Sequence, residues 1–183
     1  MLATDVPGSA QSEAVQSVGL EVFLRRDFTE RLGGFVSYTL SRTVATAGGL
    51  TERASWDRTH VLSVALGYDL GNGWRVGSRL FVESGRPMQP VCVDRCSPSL
   101  AQATSPVYYR PQGDLPTFWR LDVRLEKKWT FRGGSWITGT LECFNLFDRA
   151  EPIGDQATPG EGVAVTYQSA IVLPSVGLEA GLP

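Results

Sequence analysis

Residues 118–147 contain two alternating segments joined by a turn of a few residues. In the first segment, apolar and charged side chains alternate along the sequence. The apolar ones are at the odd-numbered positions Trp119, Leu121, Val123 and Leu125. An extended strand puts each parity on its own face, whereas a helix would scatter the charges around its axis. The second segment sets Ile137, Leu141 and Cys143 opposite polar residues. The stretch therefore predicts an antiparallel hairpin with one apolar and one polar face.

The length of this hairpin indicates a membrane. Soluble antiparallel sheets also alternate, so alternation alone does not decide the solvent. Each arm spans about a dozen residues, whereas soluble strands average about 5 to 6 and tilted bilayer-spanning strands about 9 to 11. We therefore expect each arm to cross a bilayer.

The same alternation recurs along the chain. It predicts five further strands, at about 17–27, 34–43, 60–70, 74–84 and 171–182. Their connections are alternately short and long, which is typical of outer-membrane barrels with tight periplasmic turns and long extracellular loops. The long loops are expected at about 44–59, 85–117 and 148–170. The predicted fold is all-β: an antiparallel transmembrane β-barrel wall of about seven meandering strands, which is an incomplete barrel.

Four aromatic residues lie beside the short turns and predict a periplasmic aromatic girdle. They are Tyr68, Trp74, Trp129 and Trp136. Residues 1–16 show no periodicity and are expected to be a loop or disordered tail, followed by the barrel segment 17–183. The N-terminus has neither a basic leader nor an apolar run, although an outer-membrane protein must be exported. Either the membrane interpretation is wrong, or residue 1 is not the start of the natural protein.

The order of several short motifs is similar to the C-terminal end of the barrel of TonB-dependent outer-membrane receptors. The matching stretches cover most of residues 17–182. They are 19–22 (GLEV), 37–42 (SYTLSR), 56–62 (WDRTHVL), 84–87 (SGRP), 120–124 (RLDVR), 142–148 (ECFNLFD) and 173–178 (LPSVGL). The end of the chain, Gly181-Leu182-Pro183, departs from the family, whose barrels usually end on an aromatic residue.

The resemblance implies a barrel of about 22 strands around an N-terminal plug, located in the bacterial outer membrane. Such receptors import scarce large solutes, namely iron chelates, cobalamin or glycans. The implied partners are outer-membrane lipid, the remainder of the barrel and plug, the TonB complex and the barrel assembly machinery. This chain holds neither the plug nor the TonB box.

Three other functions stay open. A small self-contained barrel with a structural or adhesive role needs an eighth strand, within 1–16 or 101–112. An outer-membrane hydrolase needs a nucleophile, and no serine here has a motif around it. A soluble β-sandwich needs a second sheet. Nucleic acid binding is excluded, because 17 basic and 19 acidic residues form no basic stripe.

A loop-base cluster is predicted where a long loop enters a strand. It consists of Asp57, Arg58 and His60, which we expect to fix the loop by hydrogen bonds. His60 is the single histidine, and Asp57 lies three residues before it. Acid–base catalysis is the weaker interpretation, and we predict no enzymatic activity.

Three cysteines have different expected roles. Cys92 and Cys96 lie in a proline-rich loop, where an exported protein favours a small disulfide. A metal site is disfavoured because no histidine or further cysteine is near. Cys143 is expected to be a small apolar filler on the outward face. We predict neither metal nor cofactor.

Charged residues on the polar parity of four strands are expected to line the inside of the wall. We predict that they pair with one another or with a plug, because buried polar groups need partners. They are Arg75, Arg79, Glu83, Arg120, Asp122, Arg124, Glu126 and Glu142.

Overall fold

The computed structural model describes residues 14–29, 31–47, 50–88, 91–94, 107–109, 113–158 and 162–183. Every regular element there is a β-strand, and no helix in these ranges is long and apolar enough to cross a membrane. The strands are β1 (Ala14–Thr29), β2 (Leu32–Ala47), β3 (Leu50–Arg53), β4 (His60–Gly71), β5 (Trp74–Glu83), β6 (Val91–Asp94), β7 (Val107–Tyr109), β8 (Phe118–Thr130), β9 (Trp136–Phe144), β10 (Glu151–Thr158), β11 (Gly162–Gln168) and β12 (Leu173–Gly181).

Seven of these strands form one meandering sheet in the order β1-β2-β4-β5-β8-β9-β12. Each strand is antiparallel to the next, which confirms the predicted all-β antiparallel fold. The seven predicted strands correspond to these seven, and β3 adds an eighth strand to the sheet by pairing with β2. Within the described residues, β1 and β12 each pair with one neighbour of this sheet. The start of β1 at Ala14 corrects the predicted tail, which was expected to run to residue 16.

The long connections contain strands of their own, so their prediction as loops was partly wrong. The first continues β2 to Ala47 and returns as β3, which pairs with β2. The third is mostly the β10–β11 hairpin, and β6 pairs with β7 in the second. The β6–β7 and β10–β11 hairpins form two separate two-stranded sheets, whereas β3 extends the main sheet. β3, β6 and β7 have only three or four residues, which is too short for alternation to be recognised in the sequence.

The short connections all lie at one end of the sheet, which we name the turn end; the opposite end is the loop end. At the β4–β5 turn, Gly71, Asn72 and Gly73 have φ of 86°, 52° and 77°. Gly133 and Gly134 in the β8–β9 turn have φ of 100° and 92°. Glycine adopts this left-handed region without steric cost, which permits the tight reversals.

Aromatic rings close the turn end by covering glycines. A Cβ added at Gly33 would lie 2.5 Å from the Phe28 ring, and one added at Gly67 would lie 2.6 Å from it. These two glycines oppose each other across β2 and β4. The ring therefore fills the groove that their missing side chains leave, and the Arg75 guanidinium lies 4.8 Å from its centroid.

The ends of the second long connection cross closely at the loop end. The Leu115 amide donates to the Arg86 carbonyl at 2.9 Å, and Pro87 forms an isolated bridge with Asp114. A Cβ at Gly85 would lie 1.6 Å from the Leu115 carbonyl oxygen. This crossing needs a residue without a side chain at position 85.

We predict that Gly85→Ala lowers the free energy of unfolding by about 1–3 kcal/mol, because the methyl group forces the two chain segments apart. The urea midpoint of tryptophan fluorescence measures this change. Gly77→Ala is the matched control, since its Cβ would meet its nearest neighbour at an ordinary 3.7 Å. Equal midpoints for the two variants would contradict the crossing.

Candidate functional site

The cross-strand register aligns the apolar positions of all seven strands on one face, the apolar face. One row across the sheet runs Leu24, Val36, Val64, Leu80 and Leu121. Another runs Tyr68, Val76, Leu125, Leu141 and Val176. The pairing therefore gives one continuous apolar surface, as the alternation predicts.

Nothing in the described part of the chain covers this apolar face. Its side chains include Val18, Val176 and Leu178, which are 73%, 77% and 81% exposed. The buried hydrophobic residues of the described ranges are Ala54, Leu115 and Phe118, and none belongs to the aligned rows. Contiguous exposed apolar surface on this scale marks an interaction with a partner or a membrane.

Two aromatic belts bound the apolar face. The turn-end belt contains Tyr68, Trp74 and Trp129 on apolar-face positions, as predicted. Trp136 was wrongly assigned to it: it opposes Gly181, and its indole covers that glycine on the polar face, at 2.5 Å from an added Cβ. Ile137, the next residue, lies on the apolar face. Because neighbouring residues of a strand point to opposite faces, the sequence alone already places Trp136 on the polar face.

The loop-end belt was missed by sequence reasoning. Trp119 packs against Phe147 with ring centroids 5.6 Å apart, and Tyr38 stacks on His60 at 6.2 Å. The available signal was the position of Trp119 and His60 at the loop ends of β8 and β4, on the apolar face; Tyr38 lies within β2, and Phe147 lies in the turn after β9. Along β8 the two belts are separated by the ten residue steps from Trp119 to Trp129.

The distance between the two belts follows from the rise per residue of a strand. Ten residues span about 33 Å along a strand at about 3.3 Å per residue. For a strand tilted by about 40°, this is a height of about 25 Å, the height of the apolar band of outer-membrane barrels.

The predicted wall-lining residues share the opposite face, the polar face. The register pairs Arg75 with Glu126, Arg79 with Asp122, Glu83 with Phe118, Phe81 with Arg120 and Arg124 with Glu142. Cavities of about 430 and 350 Å³ are lined by side chains of this face from several strands.

An ion-pair network crosses the polar face at β8 and β9. Arg124 contacts Glu126 and donates to Glu142 at 2.7 Å, and Glu142 also accepts from Ser175 on β12 at 3.4 Å. The Arg124 side chain is half exposed, so these pairs contribute little free energy of folding. Their effect is a polar and nearly neutral surface.

Other predicted wall residues have more specific contacts. The Arg120 guanidinium lies 3.7 Å from the Phe144 ring centroid, and its Nε is 3.0 Å from Asp122 Oδ1. Asp122 also accepts the Asn145 amide at 2.9 Å, so it fixes a turn as well as lining the wall. Arg79 has no ion-pair partner among the described residues.

Asp57, Arg58 and His60 of the predicted loop-base cluster each have different partners in the structure. Asp57 is 1% exposed and accepts from the Thr43 amide at 2.7 Å and from Arg53 Nε at 3.0 Å. Arg58 contacts Glu83 and lies 3.4 Å from Glu151. These two residues hold the loop base, as expected.

His60 does not join this cluster. Its Nδ1 is 2.8 Å from the Tyr38 hydroxyl, and Leu40 opposes it on the apolar-face parity. Consecutive strand residues alternate faces, so His60 belongs with the loop-end belt. The expected hydrogen bond of His60 at the loop base is made by its backbone amide, which donates to Ser84 Oγ at 3.0 Å.

Arg53 links two long connections. It contacts Asp57 in the first and donates to Asp114 in the second at 2.5 Å. The hydrogen bond to Asp114 raises the pKa of Arg53 above its ordinary value, with a smaller opposing effect of burial. The guanidinium therefore stays charged.

Asn145 holds the start of the third long connection in place by hydrogen bonds. The sequence pointed to it only as part of the motif at 142–148. It is 4% exposed and has φ of 55°. Its side-chain amide donates to the carbonyls of Arg149 at 3.1 Å and Ile171 at 3.3 Å. Asn145 thus joins the two ends of this connection.

The predicted disulfide lies outside the described residues, because Cys96 is not among them and Cys92 is described only as a strand position of β6. Cys143 is a free thiol opposite Val123 on the apolar face, as expected. The described ranges contain no group of three His, Cys, Asp or Glu residues that could hold a metal ion.

No family model, curated protein or solved structure matches this chain.

We predict that Asp57→Ala lowers the free energy of unfolding by about 3 kcal/mol. This is the lower end for breaking a buried ion pair, because Arg53 keeps Asp114. Denaturant unfolding measures the change. Asp27→Ala is the control: its partner Arg25 and Asp27 itself are 71% and 77% exposed, so little change is expected. A larger loss at Asp27 would contradict this assignment.

Proposed function

We propose that this chain is part of the wall of an outer-membrane β-barrel of the TonB-dependent receptor class, which imports a scarce large solute. The observation that carries the proposal is the uncovered apolar face, bounded by aromatic belts ten residue steps apart along β8, which is a height of about 25 Å for a strand tilted by about 40°. Lipid is the occupant that fits a continuous apolar band of this height. The polar face then lines the lumen.

The sheet's open order supports a wall that is part of a larger barrel. Unpaired strand edges do not occur in the hydrocarbon region of a membrane, because their backbone groups would lack hydrogen bonds. β1 and β12 therefore need further strands, which the remainder of a large barrel supplies. The contacts that join the long connections at their bases fit extracellular loops that meet the solute.

The family assignment rests on the motif order together with these features. The short turns at one end and the long connections at the other agree with the family's periplasmic and extracellular sides. The solute classes implied by the resemblance are an iron chelate, cobalamin or a glycan. No covalent chemistry is part of the proposal.

A small self-contained barrel is the second candidate, favoured by the alternation of short and long connections alone. It needs an eighth strand. In the range 101–112, residues 107–109 form β7, which pairs with β6 and not with the main sheet. The described part of that range therefore offers this candidate no support.

We predict that Leu141→Arg blocks membrane assembly, whereas Thr140→Arg is tolerated. Leu141 is 55% exposed on the apolar face between Leu125 and Val176. Thr140 is its chain neighbour and opposes Glu126 on the polar face. A lipid-facing arginine near the midplane costs about 2–4 kcal/mol.

The folded fraction of the natural full-length protein in phospholipid vesicles measures this difference, since folded barrels resist proteolysis and migrate faster in gels before heating. Equal tolerance at the two positions would mean that the apolar face does not meet lipid. A sheet that stays folded and monomeric in water without detergent would favour the soluble sandwich.

We also predict that the natural protein in the outer-membrane fraction has an intact mass several times 19.9 kDa, because a plug and more strands belong to it. Mass spectrometry of that fraction tests this. A mass near 19.9 kDa, together with a detergent-resistant monomer, would replace the receptor proposal by the small barrel.

A further inference from the structure

The two faces of the sheet differ in the charges they carry: the polar face has both cations and carboxylates, whereas charged apolar-face positions hold cations. Every carboxylate of the seven meander strands belongs to the polar face. These residues are Glu21, Asp27, Asp69, Glu83, Asp122, Glu126, Glu142 and Glu179. The charged residues at apolar-face positions are cations: Arg26 and Lys127 toward the turn end, and Arg42 toward the loop end.

The turn end adds two exposed cations in its connections. Arg31 precedes β2 and Arg132 lies in the β8–β9 turn. We name Arg26, Arg31, Lys127 and Arg132 the basic rim. The nearby acid Asp27 pairs with Arg25 at 2.8 Å, and Glu30 lies outside the described residues.

Lys127 shows how a cation is accommodated on the apolar face near the turn end. It opposes Trp74 and Gly139 on the apolar face. Its Nζ donates to the Asn72 carbonyl at 2.6 Å and lies 4.9 Å from the Trp74 ring centroid. The apolar stem thus follows the apolar face, while the ammonium reaches the turn end with further N–H donors available.

We propose that the basic rim binds the phosphate headgroups of anionic phospholipids in the leaflet at the turn end. This inference rests on the proposed function, because it requires lipid against the apolar face. The rim lies at the level of the Trp74 and Trp129 belt, where headgroups meet the hydrocarbon. Cations there attract anionic lipid, and the absence of carboxylates from apolar-face positions removes repulsion.

The test compares neighbouring lysines that differ in face. Lys128 points to the polar face, where its Nζ lies 4.4 Å from the Trp136 centroid. Lys127→Gln and Lys128→Gln therefore remove the same charge beside a tryptophan on opposite faces. Folding yield of the natural full-length protein, which supplies the partners of β1 and β12, is measured in phosphatidylcholine vesicles and in an equimolar mixture with phosphatidylglycerol.

We expect the unchanged protein to give a higher folding yield in the anionic vesicles than in phosphatidylcholine. Lys127→Gln should lower this ratio of yields about fivefold, and Lys128→Gln should leave it unchanged. Lys127→Arg should restore it, which separates charge from folding. Native mass spectrometry should find phosphatidylglycerol retained by the unchanged chain and depleted in Lys127→Gln.

Equal losses for Lys127→Gln and Lys128→Gln would overturn the inference, since total charge would then explain the preference. Equal folding of the unchanged chain in both vesicle types would also overturn it and leave the membrane proposal standing. Folding in neither vesicle type would overturn both.

Discussion

Backbone hydrogen bonding between neighbouring strands is the constraint on which the rest of this structure depends. The described residues bury only three hydrophobic side chains, so an internal core cannot be the main source of stability. The ladder from β1 to β12 instead joins the whole sheet. A hydrogen bond contributes only about 0.5–1.5 kcal/mol net in water but about 4–6 in an apolar medium. In the proposed setting, lipid therefore both covers the apolar face and strengthens the ladder.

The register of these strands determines the character of both faces. Because side chains alternate with a period of two, a slip of one residue would move the apolar set to the polar face. Contacts at both ends oppose such a slip. At the turn end, Phe28 fits over Gly33 and Gly67, and Trp136 fits over Gly181. At the loop end, Asp57 and Asn145 bind backbone groups of the adjoining chain.

The loop-end contacts also connect the three long connections with one another. Arg53 joins the first to the second through Asp114, and Arg58 joins the first to β5 and to the third through Glu83 and Glu151. These ion pairs are partly buried, so they are less screened by salt than surface pairs. In the proposed receptor, loops held together at their bases would respond to a solute together, with the charge of Arg53 maintained by Asp114.

The sequence by itself determined the seven strands and the faces of the eight predicted wall residues, because the period-two pattern is local and any extended strand converts it into faces. It also indicated the short turns through glycine and asparagine. Only the tertiary structure decided that His60 pairs with Tyr38, that Asp57 and Arg58 have separate partners, and that hairpins occupy the long connections. Those contacts join residues distant in the chain, and they depend on register and loop path, which local periodicity does not encode.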